Sequence, residues 1–355
     1  MVVVNSRFLT QKITGAQRFA MEMSKHIRQL LQTVRFIAPH DILHKDLTVE
    51  LNVKIVGRNR GHLWEQFDLP YFLYKNNKPL LVNFCNTAPL AYTNQIVTIL
   101  DLSFLINPGW FSKRFFLFYK FLTPLIAKRS KKVITISEFS KQQIVKILKV
   151  PEEKIEIVYC GISEEIKGFS KKEFYNEYGE YILTVSSLEP RKNFRNLILA
   201  FNRLKFRSNV KLIIVGSENR IFADLTLRNL IQGDDRIIMT GYVSDKDLSG
   251  LYRHAMLLVY PSLYEGFGLP PLEAMACGCP VVVSSAASLP EVCGDAAFYV
   301  DPYDVDDIAK GIYKVLTDEK LQRELRQKGL ERVKLFSWRD SAEKFISVME
   351  EAIDD

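Results

Sequence analysis

Residues 256–284 read MLLVYPSLYEGFGLPPLEAMACGCPVVVS, and this stretch decides the fold of the chain. The apolar run Met256–Tyr260 predicts a strand that is buried on both faces, and Val281–Val283 predicts a second one. The pair of prolines between them suits the first turn of a helix, which Gly278 would end. A strand, a loop, a helix and a second strand in this order indicate a parallel sheet covered by helices.

The loop between the two strands carries groups that suit a nucleotide sugar. Gly266 and Gly268 let the backbone approach a ligand closely, and the free amides of Phe267 to Glu273 lie at a positive helix end that favours a phosphate. Glu265 and Glu273 can accept hydrogen bonds from vicinal hydroxyls, which a sugar and a ribose both offer. A phosphate site between two polyol sites describes a sugar linked to a nucleoside diphosphate.

The run EGFGLPPLE, followed by AMACGCPVVVS and LPEVCGDAAFYVDP, resembles the donor signature of the retaining family 4 glycosyltransferases. The likeness continues upstream through SSLEPRKN and GYV to VNSRFLTQKITGAQR, so it covers nearly the whole chain. The resemblance implies the GT-B fold, in which two Rossmann-like, doubly wound α/β domains face a cleft. It places the acceptor on the first domain and the nucleotide sugar on the second. It also implies transfer of a hexose with retention of configuration and without a side-chain nucleophile.

Further apolar runs support an α/β fold with parallel sheets. Helical or polar stretches separate the first strand, Val2–Val4, from later candidates, and a new sheet starts at Tyr181. The candidates in the first half are Val34–Ile37, Val53–Val56, Leu80–Phe84, Ile96–Leu100, Val133–Ile136 and a strand within Val150–Gly161. The charged stretch Glu164–Glu180 is interpreted as the crossing between the domains. We therefore expect an acceptor-binding domain over 1–165, a nucleotide-sugar-binding domain over 166–336, and, by the resemblance, a last helix over 337–355 that returns to the first domain.

Composition excludes several classes of protein. The chain has 355 residues, of which 47% are hydrophobic and 25% are charged, as in a folded two-domain protein. Its start lacks the pattern of a secretory signal and no segment resembles a membrane span, so we expect a cytoplasmic protein. The net charge of +7 suits phosphate ligands, and without a matching motif it does not indicate nucleic-acid binding.

The five cysteines do not form a disulfide framework. Cys277, Cys279 and Cys293 could suggest a metal, but no histidine lies near them in the sequence, and buried thiols are the better interpretation. Two Asp-X-Asp triplets, at Asp245 and Asp304, precede helical patterns as caps do. We therefore expect no metal and no cofactor beside the nucleotide-sugar substrate.

The stretch SSLEPRKN places two cations, Arg191 and Lys192, between a strand and a helix that begins near Asn193. Cations in this position can neutralise a leaving diphosphate, although charges at the start of a helix are also common on protein surfaces. With the family resemblance, Glu265 would hold the transferred sugar and Glu273 the ribose. The backbone of Phe267, Gly268 and Leu269 would hold the diphosphate.

Other candidate donor contacts lie where predicted strands end. Gly15 follows the first strand at a turn where doubly wound folds bind phosphate, and by resemblance its loop reaches the donor; a plain turn is the alternative. Gly216 ends the strand Val210–Val215, and in the family the Gly-Tyr-Val that includes Tyr242 and Val243 supplies backbone contacts to the base.

Asp101 stands just beyond the strand Ile96–Leu100, at the edge where open sheets bind ligands. Many relatives have His-Asp here, so Leu100 leaves Asp101 as the only ionisable group of the pair and counts against a histidine-based role. A helix or turn cap is the alternative for Asp101.

The stretch GHLWEQFDLP mixes His62, Trp64 and Glu65, a combination that suits stacking on a sugar and binding of its hydroxyls. Acceptor recognition is one interpretation. A helix capped and packed by Trp64 is the other.

Trp110–Lys132 is the most aromatic and basic segment of the chain. It predicts either a helix that lies on an anionic membrane surface, at the cytoplasmic face of the inner membrane, or a core helix with a solvated basic edge.

Together these features predict a metal-independent, retaining hexosyltransferase of bacterial surface polysaccharide synthesis with a glycan or lipid-linked acceptor. GDP-mannose is the first expectation for the donor, and a UDP or dTDP sugar is the second. A nucleotide-sugar epimerase and a catalytically silent glycosyltransferase-like subunit are the alternatives. A nicotinamide-dependent dehydrogenase is disfavoured because no GxGxxG follows a strand.

Overall fold

A computed structural model describes residues 1–168, 175–204, 209–216 and 230–354 of the chain. The chain divides into two compact units, one made of 1–161 with 337–355 and the other of 162–336. The boundary in the structure therefore falls slightly before the predicted one. Part of the predicted crossing Glu164–Glu180, at 169–174, lies outside the described residues.

The first unit contains a parallel sheet whose strands run in the spatial order β3-β2-β1-β4-β5-β6-β7. Its strands are β1 Val2–Asn5, β2 Arg35–Ala38, β3 Lys54–Ile55, β4 Leu80–Asn83, β5 Gln95–Thr98, β6 Lys132–Thr135 and β7 Ile155–Ile157. Its α-helices are Gly15–Leu30, Lys45–Glu50, Gly61–Leu63, Leu69–Lys75, Ser103–Ile106, Lys113–Arg129, Glu138–Gln143 and Trp338–Asp354. The central strands β1, β4 and β5 are buried along their whole length, as their apolar runs predict.

The last helix packs against the helix Gly15–Leu30 and against the end of β4 through aromatic contacts. The rings of Trp338 and Phe19 meet edge to face at 5.7 Å between centroids, and those of Phe345 and Phe84 at 5.2 Å. Such pairs stabilise a fold beyond the apolar area that they bury. The helix Trp338–Asp354 is therefore part of the first unit, although it follows the second in the sequence.

The second unit contains a parallel sheet with the strand order β10-β9-β8-β11-β12-β13. Its strands are β8 Tyr181–Val185, β9 Lys211–Val215, β10 Ile237–Gly241, β11 Leu257–Tyr260, β12 Val281–Ser284 and β13 Phe298–Val300. Its α-helices are Glu164–Gly168, Phe194–Arg203, Asp245–His254, Leu269–Ala276, Leu289–Cys293, Val305–Thr317 and Glu319–Arg332. The prediction of two Rossmann-like, doubly wound domains is confirmed.

Each sheet has one position where the order of its strands reverses, and this position determines where ligands bind. The chain runs from β1 to one edge of the first sheet and returns at β4, and it runs from β8 to one edge of the second sheet and returns at β11. Open α/β sheets bind ligands outside the carboxyl ends of the strands at such switch points. We therefore expect ligand-binding side chains among the residues that follow β1, β4, β8 and β11.

Several local predictions can be compared with the structure. The caps are confirmed, since Ser244 accepts a hydrogen bond from the Asp247 amide and Asp304 accepts from the amides of Asp306 and Asp307. Cys277, Cys279 and Cys293 are buried, which confirms their interpretation as buried thiols, and Cys160 is buried as well. The thiol of Cys85 is only partly buried.

The aromatic helix Lys113–Arg129 is not a core helix. Only Thr123, Ile126 and Ala127 are buried in it, whereas several of its large apolar residues are exposed: Phe115, Leu117, Phe118, Phe121 and Leu125. Among the described residues no helix has both the length and the apolar character that crossing a membrane requires.

Candidate active site

A short turn brings both predicted cations to the switch point of the second sheet. After β8 the chain forms a 3-10 helix, Pro190–Lys192, and Asn193 then adopts a left-handed backbone with φ of 61°. The Asn193 side chain donates to the carbonyl oxygen of Pro261, at 3.0 Å, and to that of Pro302, at 2.7 Å. The first bond holds the turn against the loop that follows β11, and the second holds it against the loop that follows β13. Asparagine suits the position because it tolerates this backbone conformation.

Lys192 and Arg191 both contact the carboxylate of Glu265. The Lys192 Nζ donates to Glu265 Oε1 at 2.6 Å and to the Tyr260 hydroxyl at 2.8 Å, and the Arg191 Nη1 donates to Glu265 Oε2 at 3.2 Å. The Arg191 Nε donates to Glu189 at 2.7 Å. Only 7% of the Lys192 and Glu265 side chains is exposed. The prediction thus selected three residues that the fold brings together, but it missed Glu189 and Tyr260.

The electrostatics of this cluster favour an ionised carboxylate. Burial disfavours the charged form of Glu265, but the charges of Lys192 and Arg191 outweigh burial and lower its pKa to about 2. Burial and the charge of Arg191 lower the pKa of Lys192, against the opposing effect of Glu265. Burial raises the pKa of Tyr260 well above its usual range, so its hydroxyl keeps its proton. The cluster therefore presents two cations whose partners are the buried carboxylate of Glu265, the carboxylate of Glu189 and a neutral phenol.

The glycine loop after β11 is held in one conformation by side chains. Gly268 has φ of 108°, and a Cβ at this position would lie 2.6 Å from Leu289 Cδ2, so a larger residue would be both strained and crowded. The Ser288 hydroxyl donates to the carbonyl oxygens of Glu265, at 3.0 Å, and Phe267, at 2.8 Å. The helix Leu269–Ala276 begins directly after this loop, as the sequence predicts.

Glu273 lies in that helix and has a partner that the sequence analysis missed. The Tyr252 hydroxyl, from the helix Asp245–His254, donates to Glu273 Oε2 at 2.9 Å. Burial and the Glu273 charge raise the pKa of Tyr252 well above its usual range, so the phenol remains a donor. Tyr252 therefore fixes the orientation of a carboxylate that is itself only 6% exposed.

Gly216 lies at the end of β9 in close contact with the neighbouring strand. Its amide donates to the Gly241 carbonyl oxygen at 3.0 Å, and a Cβ on Gly216 would lie 2.0 Å from the Ser186 carbonyl oxygen. Only glycine fits there. Tyr242 follows β10 and is 72% exposed, so no packing role explains it, and the base contact of Tyr242 and Val243 stays a prediction.

Two candidates of the first unit occupy the starts of helices. Gly15 is the first residue of the helix Gly15–Leu30, and no heavy atom lies within 4 Å of the place where its Cβ would be. Local packing therefore does not require glycine there. The Asp101 Oδ1 accepts from the Ser103 amide at 2.8 Å, directly before the helix Ser103–Ile106, which agrees with the alternative of a cap.

The acceptor interpretation is wrong for Trp64. Its side chain is fully buried, and its indole NH donates to the Val56 carbonyl oxygen at 2.6 Å. The ring thus fills the core beside the first sheet and has no face left for a sugar. Glu65 is also buried, at 1% exposure, whereas His62 reaches the surface.

A second buried polar cluster, at the switch point of the first sheet, was missed apart from Glu65. It consists of Asn5 and Asn83, which end β1 and β4, with Arg7, Thr87 and Glu65. The run Asn-Ser-Arg, directly after the first predicted strand, was the signal in the sequence that could have indicated this cluster, but it served only as part of the family resemblance.

The fold and the comparisons with known proteins indicate a glycosyltransferase with two Rossmann-like domains. Residues 165–332 match the family model described as "Glycosyl transferases group 1", and residues 13–166 match the one described as "Glycosyltransferase Family 4". The two matches meet where the two structural units meet. The chain belongs to the family 4 glycosyltransferases.

Relatives and solved structures agree with this placement. The chain is 36% identical over 228 residues to O-antigen chain mannosyltransferase B of Escherichia coli, covering 61% of this chain and 60% of that protein, which is less than two thirds of its length. It is 29% identical over 326 residues to O-antigen chain mannosyltransferase RfbU of Salmonella typhimurium, covering 85% of this chain and 87% of that protein. The structure of Anabaena HepE in complex with UDP and glucose superposes with a TM-score of 0.77 at 17% identity over 99% of both chains, which shows the shared fold.

Proposed function

We propose that this protein is a retaining glycosyltransferase that moves mannose from a nucleotide sugar to a glycan or lipid-linked acceptor in bacterial surface polysaccharide synthesis. The observation that carries the proposal is the cluster of Lys192, Arg191 and Glu265 at the switch point of the second sheet. A buried lysine and a partly buried arginine at the place where doubly wound sheets bind phosphates suit a diphosphate. The names of the two mannosyltransferase relatives support mannose as the transferred sugar.

The cluster has a defined task in this reaction. Lys192 and Arg191, which contact Glu265 and Glu189 in the structure, would also contact the diphosphate and so stabilise the charge that develops on the leaving group. The bond between the anomeric carbon and the phosphate oxygen breaks, and its electron pair leaves with the diphosphate. The acceptor oxygen bonds to the same face of that carbon, and its proton passes to the leaving phosphate oxygen. Glu265 would hold a hydroxyl of the sugar during this exchange.

The remaining donor contacts follow the helix Leu269–Ala276. The backbone amides of Phe267 to Leu269 would contact the diphosphate, since Ser288 already holds that loop in place. Glu273, oriented by Tyr252, would accept hydrogen bonds from the ribose hydroxyls. We propose a guanosine nucleotide first and a uridine or deoxythymidine nucleotide second; the complex of HepE with UDP is the precedent for the second.

We further propose that transfer needs no divalent cation. The cation pair Arg191 and Lys192 supplies the charge compensation that a metal gives in other glycosyl transfer reactions. Both Asp-X-Asp triplets serve as caps or first-turn residues of helices, so their occurrence in the sequence does not imply metal ligands.

Two measurements test the proposed function. A thermal-shift screen against GDP, UDP and dTDP should select one nucleotide, because a ligand at 100 times its dissociation constant stabilises a protein by about 2.7 kcal/mol. The matching mannose donor is then incubated with and without oligosaccharide or lipid-linked acceptors. Product only with acceptor supports the transferase, a changed donor sugar without acceptor indicates an epimerase, and neither with any donor indicates a silent subunit.

We also propose that the helix Lys113–Arg129 rests on an anionic membrane surface. Leu117, Phe121 and Leu125 recur every fourth residue, so they share one face of the helix, and each is at least 48% exposed. The helix contains no acidic residue. Basic residues stand at both of its ends, Lys113 and Arg114 at one and Lys128 and Arg129 at the other. An apolar stripe between basic ends matches anionic headgroups above an acyl layer.

Sedimentation with lipid vesicles tests this contact. Vesicles that contain phosphatidylglycerol should bind the protein, and vesicles of phosphatidylcholine alone should bind it less. Phe121→Ser should weaken binding, whereas Tyr303→Ser, at an equally exposed aromatic residue of the second unit, should leave it unchanged. Equal binding to both kinds of vesicle, or no effect of Phe121→Ser, would contradict the proposal.

A further inference from the structure

The switch point of the first sheet carries polar side chains that packing does not require. Asn5 and Asn83 end the adjacent strands β1 and β4, and the Asn5 amide donates to the Asn83 side-chain oxygen at 2.9 Å. Arg7 follows β1 by two residues and is only 6% exposed. Apolar side chains would stabilise such a position at least as well as buried charges. Buried charge at the crevice where open sheets bind ligands instead indicates a site.

Glu65 joins these groups through one of its two oxygens. Its Oε1 accepts from the Asn5 amide at 3.0 Å, from the Arg7 Nε at 3.2 Å and from the Thr87 hydroxyl at 3.0 Å. The Arg7 Nη2 donates to Thr87 at 2.8 Å. Burial disfavours the charged carboxylate, but Arg7 and His62 outweigh burial and lower the pKa of Glu65 to about 2. The carboxylate is thus ionised and fixed in orientation.

The other oxygen of Glu65 orients His62. Its Oε2 lies 3.2 Å from the His62 Nδ1. Because an ionised carboxylate only accepts hydrogen bonds, Nδ1 carries a proton, and in the neutral imidazole Nε2 then has a free lone pair. Within 1–168, 175–204, 209–216 and 230–354, Nε2 has no hydrogen-bond partner, and 36% of the His62 side chain is exposed. In its neutral form, His62 therefore offers a fixed hydrogen-bond acceptor to solvent.

An aromatic ring lies next to this acceptor. The centroid of Phe118, in the helix Lys113–Arg129, is 4.7 Å from that of His62, and Phe118 is 40% exposed. The ring of Tyr119, in the same helix, also lies near His62, with 6.2 Å between the two ring centroids. An exposed apolar ring beside a hydrogen-bond acceptor suits a sugar, whose ring presents C–H groups on its face and hydroxyls at its edge.

The charge of the cluster selects among sugars. Arg7 and Glu65 form an ion pair, so together they contribute no net charge. A phosphate or a carboxylate on the ligand would find no unpaired cation in this ion pair. An uncharged polyol needs no cation, so the pairing of Arg7 with Glu65 does not disfavour its binding.

We propose that His62 and Phe118 form a subsite for an uncharged sugar of the acceptor, with the His62 Nε2 accepting a hydrogen bond from one hydroxyl and Phe118 contacting the ring. Glu65 and Arg7 are positioning residues that hold the imidazole. Trp64, which the sequence suggested for stacking, is replaced in this role by Phe118 from another helix. The subsite rests on the proposed transferase function only for its identification with the acceptor.

Binding of a free sugar can be measured without any donor. The protein has five histidines, so the imidazole signals labelled with carbon-13 give a short spectrum, in which the His62 signal is assigned as the one that His62→Gln removes. Titration with millimolar methyl α-D-mannoside should move the His62 signal and leave the other four unchanged. Phe118→Leu should weaken this response about tenfold, and Phe116→Leu, in the same helix, should not change it. A mannoside that moves no histidine signal, or moves them all alike, would overturn the subsite.

Kinetics distinguish failure of the subsite from failure of the proposed function. With GDP-mannose as donor and methyl α-D-mannoside as acceptor, His62→Gln should raise the acceptor Michaelis constant about tenfold and leave the dissociation constant of GDP as in the wild type. The control His26→Gln, in the same unit, should change neither. An unchanged acceptor Michaelis constant in His62→Gln overturns the subsite. A wild type that binds no nucleoside diphosphate overturns the transferase, and the spectroscopic titration still decides on the subsite.

Discussion

The effect of Glu265→Gln can be worked out most directly from the structure, because glutamine keeps the shape of the side chain and removes its charge. The lowering of the Glu265 pKa from 4.5 to about 2 means that the cations stabilise the ionised carboxylate by about 3 kcal/mol more than its burial costs. Glutamine resembles the protonated acid, so the variant should lose about this free energy of unfolding at pH 7. The loss falls on the second unit, which contains the whole cluster.

The pH dependence gives the sharper form of this prediction. The pKa of Glu265 is lower in the folded state than in the unfolded state, so its stabilising effect is complete above pH 4.5 and disappears as the pH falls towards 2. The wild type and Glu265→Gln should therefore differ by about 3 kcal/mol at neutral pH and converge in acid. Glu189→Gln is the matched control, because Glu189 contacts the same Arg191 from a more exposed position and should cost less.

Urea unfolding followed by circular dichroism measures these differences. The three tryptophans, Trp64, Trp110 and Trp338, all lie in the first unit. Their fluorescence therefore reports unfolding of the first unit separately from that of the second, which contains Glu265. A constant difference between wild type and Glu265→Gln from pH 7 to pH 3 would refute the reasoning, because the lost interaction would then not depend on the charge of Glu265.

The same variant has an opposite effect on the ligand. With Glu265 neutral, Lys192 and Arg191 lose their internal anion, so calorimetry should show that nucleoside diphosphate binds at least as tightly as to the wild type. Turnover should fall, because the carboxylate that holds the sugar as positive charge develops is gone. Loss of all nucleotide affinity in Glu265→Gln would contradict the assignment of the cations to the diphosphate.

The other predictions concern the donor site. Lys192→Ala should lose roughly 2 to 4 kcal/mol of transition-state stabilisation, and an unchanged rate at saturating donor would remove Lys192 from the site. Glu273→Gln should raise the donor Michaelis constant and weaken nucleoside diphosphate binding by about 1.5 to 3 kcal/mol, whereas wild-type affinity in calorimetry would exclude the ribose contact. Transfer should continue in a metal chelator; activity that disappears and returns with manganese or magnesium would show that Arg191 and Lys192 do not suffice.

The local pattern of the sequence was enough to predict the architecture and much of the donor site. Continuous apolar runs such as Met256–Tyr260 are buried strands because both faces of a parallel sheet are covered, and their ends were predicted to within one or two residues. Pairs of residues near one another in sequence, such as Arg191 and Lys192, could be placed at a strand end. Their assignment to the same donor site as Glu265 followed from the family resemblance, and their ion pairs with Glu265 were not predicted.

Contacts between distant segments could not be predicted from one sequence. Tyr252 reaches Glu273 because two helices pack together, and no local pattern distinguishes this tyrosine from others. The sequence left open whether Trp64 stacks on a sugar or packs a helix, because tertiary packing decides the burial of an isolated aromatic side chain, and in the structure Trp64 is buried. Its replacement by Phe118 depends on how the helix Lys113–Arg129 lies against His62.

The two units solve the same electrostatic problem with the same kind of chemistry but opposite exposure. At each switch point a carboxylate, Glu265 or Glu65, is buried and kept ionised by a neighbouring arginine. In the second unit two cations, Lys192 and Arg191, contact Glu265, and Arg191 also pairs with Glu189, so a diphosphate would compete with these carboxylates for two charges. In the first unit Arg7 is paired with Glu65, and the side chain of His62 reaches solvent. The second switch point thus holds two cations for a diphosphate, and the first holds a single arginine that Glu65 already pairs.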